Sequence, residues 1–488
     1  MIWIVPTVVT LAVVLTGIGN AQPWRDELAT WSAASRSPGD LVRLAGTIDA
    51  ATSPYYLFMH AWVVLFGDSV TALRLPAALA MAATAGLTAV LGRRLAGARA
   101  GLLAGLLLAV LPGTSRYGQE ARPYALASFL AVLATLLLIQ ATARPGWTRW
   151  AGYAAAVAAL GLVHLVALTL LAAHAVAVLA AGHPAGRGRD DSAGAAGTPA
   201  RRDGAGGGPG KPVLRWVLAL VPAALLLTPL ALLAREQRAR QLGWVRTAGP
   251  DDLTALAGGV AQSAVVGGLL VGLAALGAAR LGRRALLPGL AVLLPVLLVF
   301  AAGLLVPLWV PRYLVFVVPF GCLLAGAALA AVPLPPALAV VALAGLLGLP
   351  DQAALRRSHE WPRSATVDYR GVARIVADRQ RPGDAVVYAP RESWLFLDLG
   401  LAYHLGDRRP RDVLATEDQA RRGDLWAAEC AHPAGCLAGA DRVWLIVAGR
   451  RDEPLAAVPG AKGDALRADF TVERVWPRPG LTVALLTR

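Results

Sequence analysis

Charge is scarce in this chain: of 488 residues only 16% are charged, against 56% hydrophobic. With a mean hydropathy of +0.56, this excludes an ordinary soluble multidomain enzyme, whose solvated surface needs more charge. A usable nucleotide-binding motif is also lacking. "GAGGGPGKP" (204–212) echoes a phosphate-binding loop, but a Gly is missing at the required spacing, Pro212 stands where Ser or Thr belongs, and no strand precedes it. The net charge of +15 lacks the arrangement of a nucleic-acid surface, because the arginines are scattered among short loops instead of forming a basic stripe with interleaved aromatics. This argues against a nucleic-acid partner; positive-inside topology and attraction to anionic lipid account for the charge. Residues 2–19 lack the Lys or Arg that would open a signal peptide, so they read as a retained first span.

What is present is a succession of apolar runs as far as about residue 350, each near the ~17–25 residues that a bilayer requires. Breaks at charge and Pro/Gly clusters divide them at 2–19, 75–92, 100–113, 123–142, 150–163, 165–181, 213–233, 258–279, 285–306, 313–331 and 333–349. This predicts a polytopic α-helical protein of about 11 transmembrane helices. With the N-terminus cytoplasmic, the inner loops carry Arg93, Arg94 and Arg99, Arg144 to Arg149, and Arg280, Arg283 and Arg284, as the positive-inside rule demands. The outer segments are then 20–74, 114–122, the turn near His164, 234–257, 307–312 and everything after 350.

Two domains follow: a membrane module over 1–350 and an extracytoplasmic region over 351–488. Residues 182–212 are Gly, Ala, Pro and Arg without periodicity and read as a disordered inner loop. In the first outer loop, Leu28, Trp31, Leu41 and Leu44 fall at helical spacing, and Tyr55–Phe66 is apolar but too short to span. Both stretches suit helices lying at the membrane interface. The last region alternates helical spacing ("YRGVARIVADRQ", "SWLFLDLGLAYHL") with strands ("DAVVYAP", "RVWLIVAG") and ends in a strand pair around a Pro-Gly turn, a small α/β domain.

Three stretches carry chemistry. "QPWRDELATW" (22–31) sets Asp26 and Glu27 just past the first span. Acids there favour the helix macrodipole. Near an apolar boundary one of them is also partly desolvated, which makes it a better proton acceptor for a sugar or protein hydroxyl. "DAATSPYYLFMHAW" (49–62) offers Asp49, Tyr55 and Tyr56, where an aromatic belt with a Pro helix start is the simpler account. "SRYGQEARPYAL" (115–126) offers Arg116, Glu120, Arg122 and Tyr124. Its arginines either anchor helix ends at the headgroups or clamp a lipid phosphate, whose geometry the guanidinium fork matches.

Taken in order, the acidic pair, "SPYYLFMHAW", "ALRLPAALA" (72–80), "QEARPYAL" (119–126), "GLVHLVALTLLAAH" (161–174) and "PRYLVFVVPF" (311–320) resemble the GT-C superfamily of integral membrane glycosyltransferases. The nearest branch is the bacterial relatives of protein O-mannosyltransferases and lipid A aminoarabinose transferases. The resemblance spans about residues 1–330. It implies a polyprenyl-phosphate-linked sugar donor, mannose by the nearest branch, and an inverting transfer to a glycan, lipid or protein acceptor. It places Asp26 as catalytic base with Glu27 completing the pair, Arg122, Arg312 and Arg74 on the donor phosphate, and His164 and Tyr313 in matching motif positions. Some relatives hold a divalent cation near the acids. Here it would fall to Asp26 and Glu27, although these with Asp49 and Glu120 do not by themselves define a metal site. The C-terminal region departs from the MIR-type insertions of eukaryotic O-mannosyltransferases, which weakens the case for a protein acceptor.

A transporter or lipid flippase also needs many spans and outer arginines, yet transport usually leaves ionisable groups near the bilayer midplane. Here charges sit at span ends, with His174 the chief exception. Cys322 lies within a span as a packing residue. In "CAHPAGC", Cys430 and Cys436 either close a disulfide or join His432 as metal ligands; an oxidising outer compartment and the lack of an obvious fourth ligand favour the disulfide.

Overall fold

The structure, a computed structural model, describes residues 2–182, 211–360 and 365–488. The expected disordered loop therefore lies, over 183–210, outside the described residues.

The chain opens with α1 (Ile4–Leu15), α2 (Arg25–Ala34), α3 (Pro38–Thr47) and α4 (Ser53–Phe66). It continues through α5 (Val70–Ala96), α6 (Ala98–Val110), α7 (Pro112–Gly118), α8 (Tyr124–Ala143), α9 (Trp147–Val163) and α10 (Leu170–Gly182). After the gap come α11 (Lys211–Glu236), α12 (Arg238–Leu242), α13 (Pro250–Ala261), α14 (Ala264–Leu281), α15 (Leu286–Leu305), α16 (Val318–Leu329) and α17 (Leu334–Leu355).

Among the described residues six helical stretches are long and apolar enough to cross a bilayer, or seven when the pair α6 and α7, bent by 68°, is taken as one. One of the six, Ala264–Leu305, contains Gly282 at φ +54, so it holds two of the expected spans. Three other expectations are corrected. The first apolar run is helical only to Leu15, and Gly17 at φ +73 then turns the chain. The run 100–113 breaks at Leu111 before Pro112, because the residue before a proline is pushed out of the helical region. The run 258–279 is broken at Gln262, φ +58, and Ser263 caps a new helix by accepting from the Val266 backbone N–H.

Apolar side chains on α11 (Leu225, Leu226) and α15 (Leu298, Leu305) stay exposed, as surfaces solvated by lipid do. Inside, small residues let backbones meet: a Cβ on Gly277 of α14 would collide with the Leu324 carbonyl of α16. Between the first apolar run and α5 the expected short helices form, as α2, α3 and α4. α4 buries Tyr55, Tyr56 and Met59 and exposes Leu57, Phe58, Leu65 and Phe66.

The C-terminal region contains α18 (Tyr369–Arg379), β1 (Ala385–Ala389), α19 (Leu397–Leu405), β2 (Arg411–Asp412), β3 (Ala415–Glu417), α20 (Gln419–Arg422), β4 (Ala428–Glu429), α21 (Pro433–Leu437), β5 (Arg442–Ala448), α22 (Gly460–Asp469), β6 (Thr471–Arg478) and β7 (Leu481–Thr487). The main sheet has the order β2-β1-β5-β7-β6. β1 runs parallel to β2 and β5, whereas β7 is antiparallel to β5 and β6. Strand alternation divides its side chains between two cores. Val387, Leu445 and Leu486 enter a core of the domain itself. Tyr388, Trp444 and Val483 face α18 and α19 in a core shared with Leu28, Leu41, Tyr56 and Met59 of α2, α3 and α4. The sheet domain is thus fastened to α2, α3 and α4, of which α2 carries the acidic pair. Cys430 and Cys436 are joined by a disulfide, so they form no thiolate pair with His432.

Candidate active site

Trp24 is extended at φ −93, and α2 begins at Arg25, which places Asp26 and Glu27 in its first turn. The two carboxylates go different ways. Glu27 is 1% exposed and accepts from Arg74 Nε at 2.8 Å, Arg74 Nη2 at 2.6 Å, the Ala121 N–H at 2.9 Å and the Trp24 N–H at 3.3 Å. Arg74 spends its remaining N–H groups on the carbonyls of Ile18 at 2.7 Å, Ala21 at 2.9 Å and Gln22 at 3.2 Å, so all five donors of the guanidinium are used. Burial alone would raise the Glu27 pKa. The Arg74 ion pair and hydrogen bonds, with a smaller contribution from His359, hold it far below the usual carboxylate range.

This corrects three expectations. Arg74 has no donor left for a phosphate. Glu27 is a structural anion rather than a partner in proton transfer. A divalent cation does not fit between Asp26 and Glu27, since the latter is saturated by arginine and backbone donors. Among the described residues no group of three or more His, Cys, Asp or Glu is placed to hold a metal.

Asp26 remains available. Its side chain is 20% exposed, with Arg312 Nη2 at 3.6 Å. Arg312 lies in the 3-10 turn Pro311–Val317 and donates from Nε to the Tyr124 hydroxyl at 3.1 Å. Arg122, in the connection between α7 and α8, has no carboxylate at ion-pair distance among the described residues. Its Nη1 contacts the hydroxyls of Tyr56 at 3.4 Å and Thr30 at 3.5 Å, and Thr30 stands one helical turn beyond Asp26. The structure therefore brings Asp26, Arg122, Arg312, Tyr56 and Tyr124 to one place.

The other expected residues fall around this group. Asp49 has a left-handed backbone, φ +61, and its carboxylate accepts from the Tyr56 hydroxyl, from Thr52 Oγ1 at 2.7 Å and from Gln241 Nε2. Burial pushes its pKa up against the pull of Arg122 and these hydroxyls. Asp49 thus anchors Tyr56, which in turn touches Arg122. Tyr313 and His164 pack beside Tyr124, with His164 edge-on to Tyr313 at 5.6 Å and tilted against Tyr124 at 5.8 Å between ring centroids. Tyr55 is buried against Phe58 at 6.2 Å, and among the described residues its hydroxyl has no hydrogen bond. Glu120 is fully buried with Arg116 Nη1 at 3.2 Å, and burial, opposed by Arg116, pushes it up to about 7. His174 is a packed histidine, bonded to Thr135 Oγ1 and the Tyr153 hydroxyl at 3.0 Å each.

Sequence reasoning missed the part played by Trp24 and its contact with Arg116. The guanidinium carbons of Arg116, Arg25 and Arg312 lie 4.8, 5.8 and 5.9 Å from the Trp24 ring centroid, within cation–π range. An open cleft of about 960 Å³ runs beside Arg312, lined also by Trp244, Arg246, Gln262 and Trp309. A narrow pocket shares Gln262 and Arg312 with it and reaches Trp24 and Arg116. Its wall includes Arg312, the ion-pair partner of Asp26.

Compared with known structures, the chain superposes along 99% of its length on 97% of ArnT from Cupriavidus metallidurans in the apo state, with a TM-score of 0.66 and 15% identity. The chain thus has the fold of this ArnT structure. ArnT from the same organism bound to undecaprenyl phosphate gives a TM-score of 0.64 at 17% identity, covering 99% of this chain and 98% of that one. The mycobacterial arabinofuranosyltransferase AftD gives 0.52 at 16% identity, with 99% of this chain matching 39% of AftD. Residues 53–189 match the family model described as dolichyl-phosphate-mannose-protein mannosyltransferase. No curated protein sequence matches the chain significantly.

Proposed function

We propose that the protein transfers a sugar from a polyprenyl-phosphate donor to an acceptor hydroxyl at the outer face of the cell membrane, with inversion. The observation that carries this reading is a carboxylate, Asp26, set beside two arginines. One of them, Arg312, is paired with it at 3.6 Å, and the other, Arg122, has only hydroxyl partners among the described residues. Cations short of anions beside a large cleft suit a phosphate.

In this mechanism the donor phosphate takes up Arg122 and Arg312, releasing Asp26 toward the acceptor. An Asp26 carboxylate oxygen removes the acceptor hydroxyl proton as that oxygen attacks the anomeric carbon from the face opposite the phosphate. The bond between anomeric carbon and phosphate oxygen breaks, polyprenyl phosphate leaves with the electron pair, and the two guanidinium groups meet the charge that develops. One displacement gives inversion. Tyr124 orients Arg312, and Tyr56, held by Asp49, orients Arg122.

The GT-C fold, shared with an ArnT structure bound to undecaprenyl phosphate, supports a polyprenyl phosphate donor. The mannosyltransferase family model over 53–189 supports mannose. Residues 1–350 form the catalytic module with a cytoplasmic N-terminus, and 351–488 form an extracytoplasmic domain that braces α2, α3 and α4. The acceptor is a glycan, lipid or protein hydroxyl. Lipid extraction of the purified protein followed by mass spectrometry tests the donor: co-purified polyprenyl phosphate or its mannosyl ester supports the reading. Failure both to retain such lipids and to turn over synthetic polyprenyl-phosphate mannose contradicts it.

A further inference from the structure

The residue next to Asp26 is held from the far end of the membrane module. After α17 the chain buries His359 and Glu360 among the arginines around α2. Glu360 is 4% exposed, its Oε2 lies 3.9 Å from Arg25 Nε, and neither of its carboxylate oxygens has a hydrogen bond among the described residues. The preceding residue is tied in as well. The His359 carbonyl accepts from Arg116 Nη2 at 2.7 Å, and the His359 ring Nδ1 is 3.9 Å from Glu27 Oε2. Of the three arginines grouped around Trp24, the linker therefore holds two, Arg25 and Arg116, while the third, Arg312, pairs with Asp26.

We propose that Glu360 is a positioning residue for the transfer reaction: its carboxylate holds Arg25, and Arg25 fixes the first turn of α2 that presents Asp26. This rests on the functional reading above and adds to it a site contribution from the linker to the C-terminal domain. A hydrogen-bonded pair within one segment would be a local cap. Here the partners are 335 residues apart in number, Arg25 and Glu360, so the contact forms only when the linker is seated, which α19 secures by packing on α2.

The groups facing Glu360 are Arg25, Asp26 and Glu27 of α2, Arg116 of α7 and Tyr369 of α18. Burial, opposed by Arg25 and Arg116 and reinforced by the charges of Asp26 and Glu27, pushes Glu360 up to about 7. The anion that holds Arg25 is therefore present above neutrality and is lost as the pH falls. A base displaced by about 1 Å can lose ~100-fold in rate, so the hold on α2 shows in kcat rather than in donor binding.

The test is steady-state transfer from polyprenyl-phosphate mannose by full-length Glu360→Gln, Arg25→Gln and the double variant, with Asp26→Asn in parallel. The expected result is a fall of about 10- to 100-fold in kcat with KM for the donor within about twofold. The rate inflection near pH 7 moves or vanishes in Glu360→Gln, and the double variant is no slower than Arg25→Gln alone. A kcat and pH profile equal to those of the unaltered protein, or effects that multiply in the double variant, overturn the proposal. If Glu360→Gln does not fold, Arg25→Gln decides by the same comparison. Should Asp26→Asn retain full transfer, the functional reading itself fails. If Asp26→Asn is inactive while the Glu360 and Arg25 variants are normal, only this proposal fails.

Discussion

Arg74 and Glu27 form a forked ion pair in the interior, Nε to Oε1 at 2.8 Å and Nη2 to Oε2 at 2.6 Å, with both side chains almost fully buried. The pair joins α5 to the start of α2 and, through the Ile18, Ala21 and Gln22 carbonyls, to the end of the first apolar run. Removing one partner leaves a buried charge without compensation. Arg74→Ala is expected to lower stability by about 3–5 kcal/mol, read as a fall in Tm of the detergent-solubilised protein. A change near zero would mean that the fork is dispensable.

Arg122 and Arg312 are expected to act on donor binding. Each hydrogen bond to a charged group contributes about 1.5–3 kcal/mol, so Arg122→Ala or Arg312→Ala should raise KM for the polyprenyl-phosphate sugar by roughly 10- to 150-fold. Lysine at either position keeps the charge and loses the fork, which predicts an intermediate value. An unchanged KM in both alanine variants would remove them from the phosphate site.

Asp49 reaches the site only through Tyr56. Tyr56→Phe deletes the hydroxyl that donates to Asp49 Oδ2 and meets Arg122 at 3.4 Å, and a buried oxygen left without its hydrogen bond costs about 1–3 kcal/mol. The expected outcome is a lower Tm together with weaker donor binding. A normal KM with only a lowered Tm would confine this relay to stability.

Glu120 makes stability depend on pH. In the folded chain burial, opposed by Arg116, carries it up to about 7 from an ordinary 4.5, so the folded state holds this proton more tightly than the unfolded one. Its contribution is complete below about 4.5 and is lost as the pH rises through about 7. Glu27 has the opposite sign: its depressed pKa stabilises above the ordinary carboxylate range and that contribution is lost in acid. Glu120→Gln should therefore flatten Tm against pH between about 5 and 8. A slope equal to that of the parent would show that Glu120 does not titrate there.

Much of this arrangement is legible in the sequence because it is local. Apolar run length marks the spans, Leu28, Trp31, Leu41 and Leu44 mark α2 and α3, and "RVWLIVAG" with the terminal strand pair marks the sheet. The order of motifs marks Asp26, Arg122 and Arg312 as residues to test. What the sequence hides is non-local. Nothing near Glu27 announces that Arg74 will consume it, and the Arg116 bond to the His359 carbonyl spans 243 residues. Helix breaks were missed where a single polar pair, Gln262 and Ser263, interrupts an otherwise apolar run, since hydropathy averages over such a point.

The central claim is that Asp26 is the base in sugar transfer, and the most direct measurement is product formation by purified Asp26→Asn supplied with polyprenyl-phosphate mannose and an acceptor extract. Asparagine is nearly isosteric and cannot accept the proton as the carboxylate does. The account predicts a protein with an unchanged Tm, within a few degrees, and product formation reduced by at least ~100-fold. Transfer at the parental rate would contradict it.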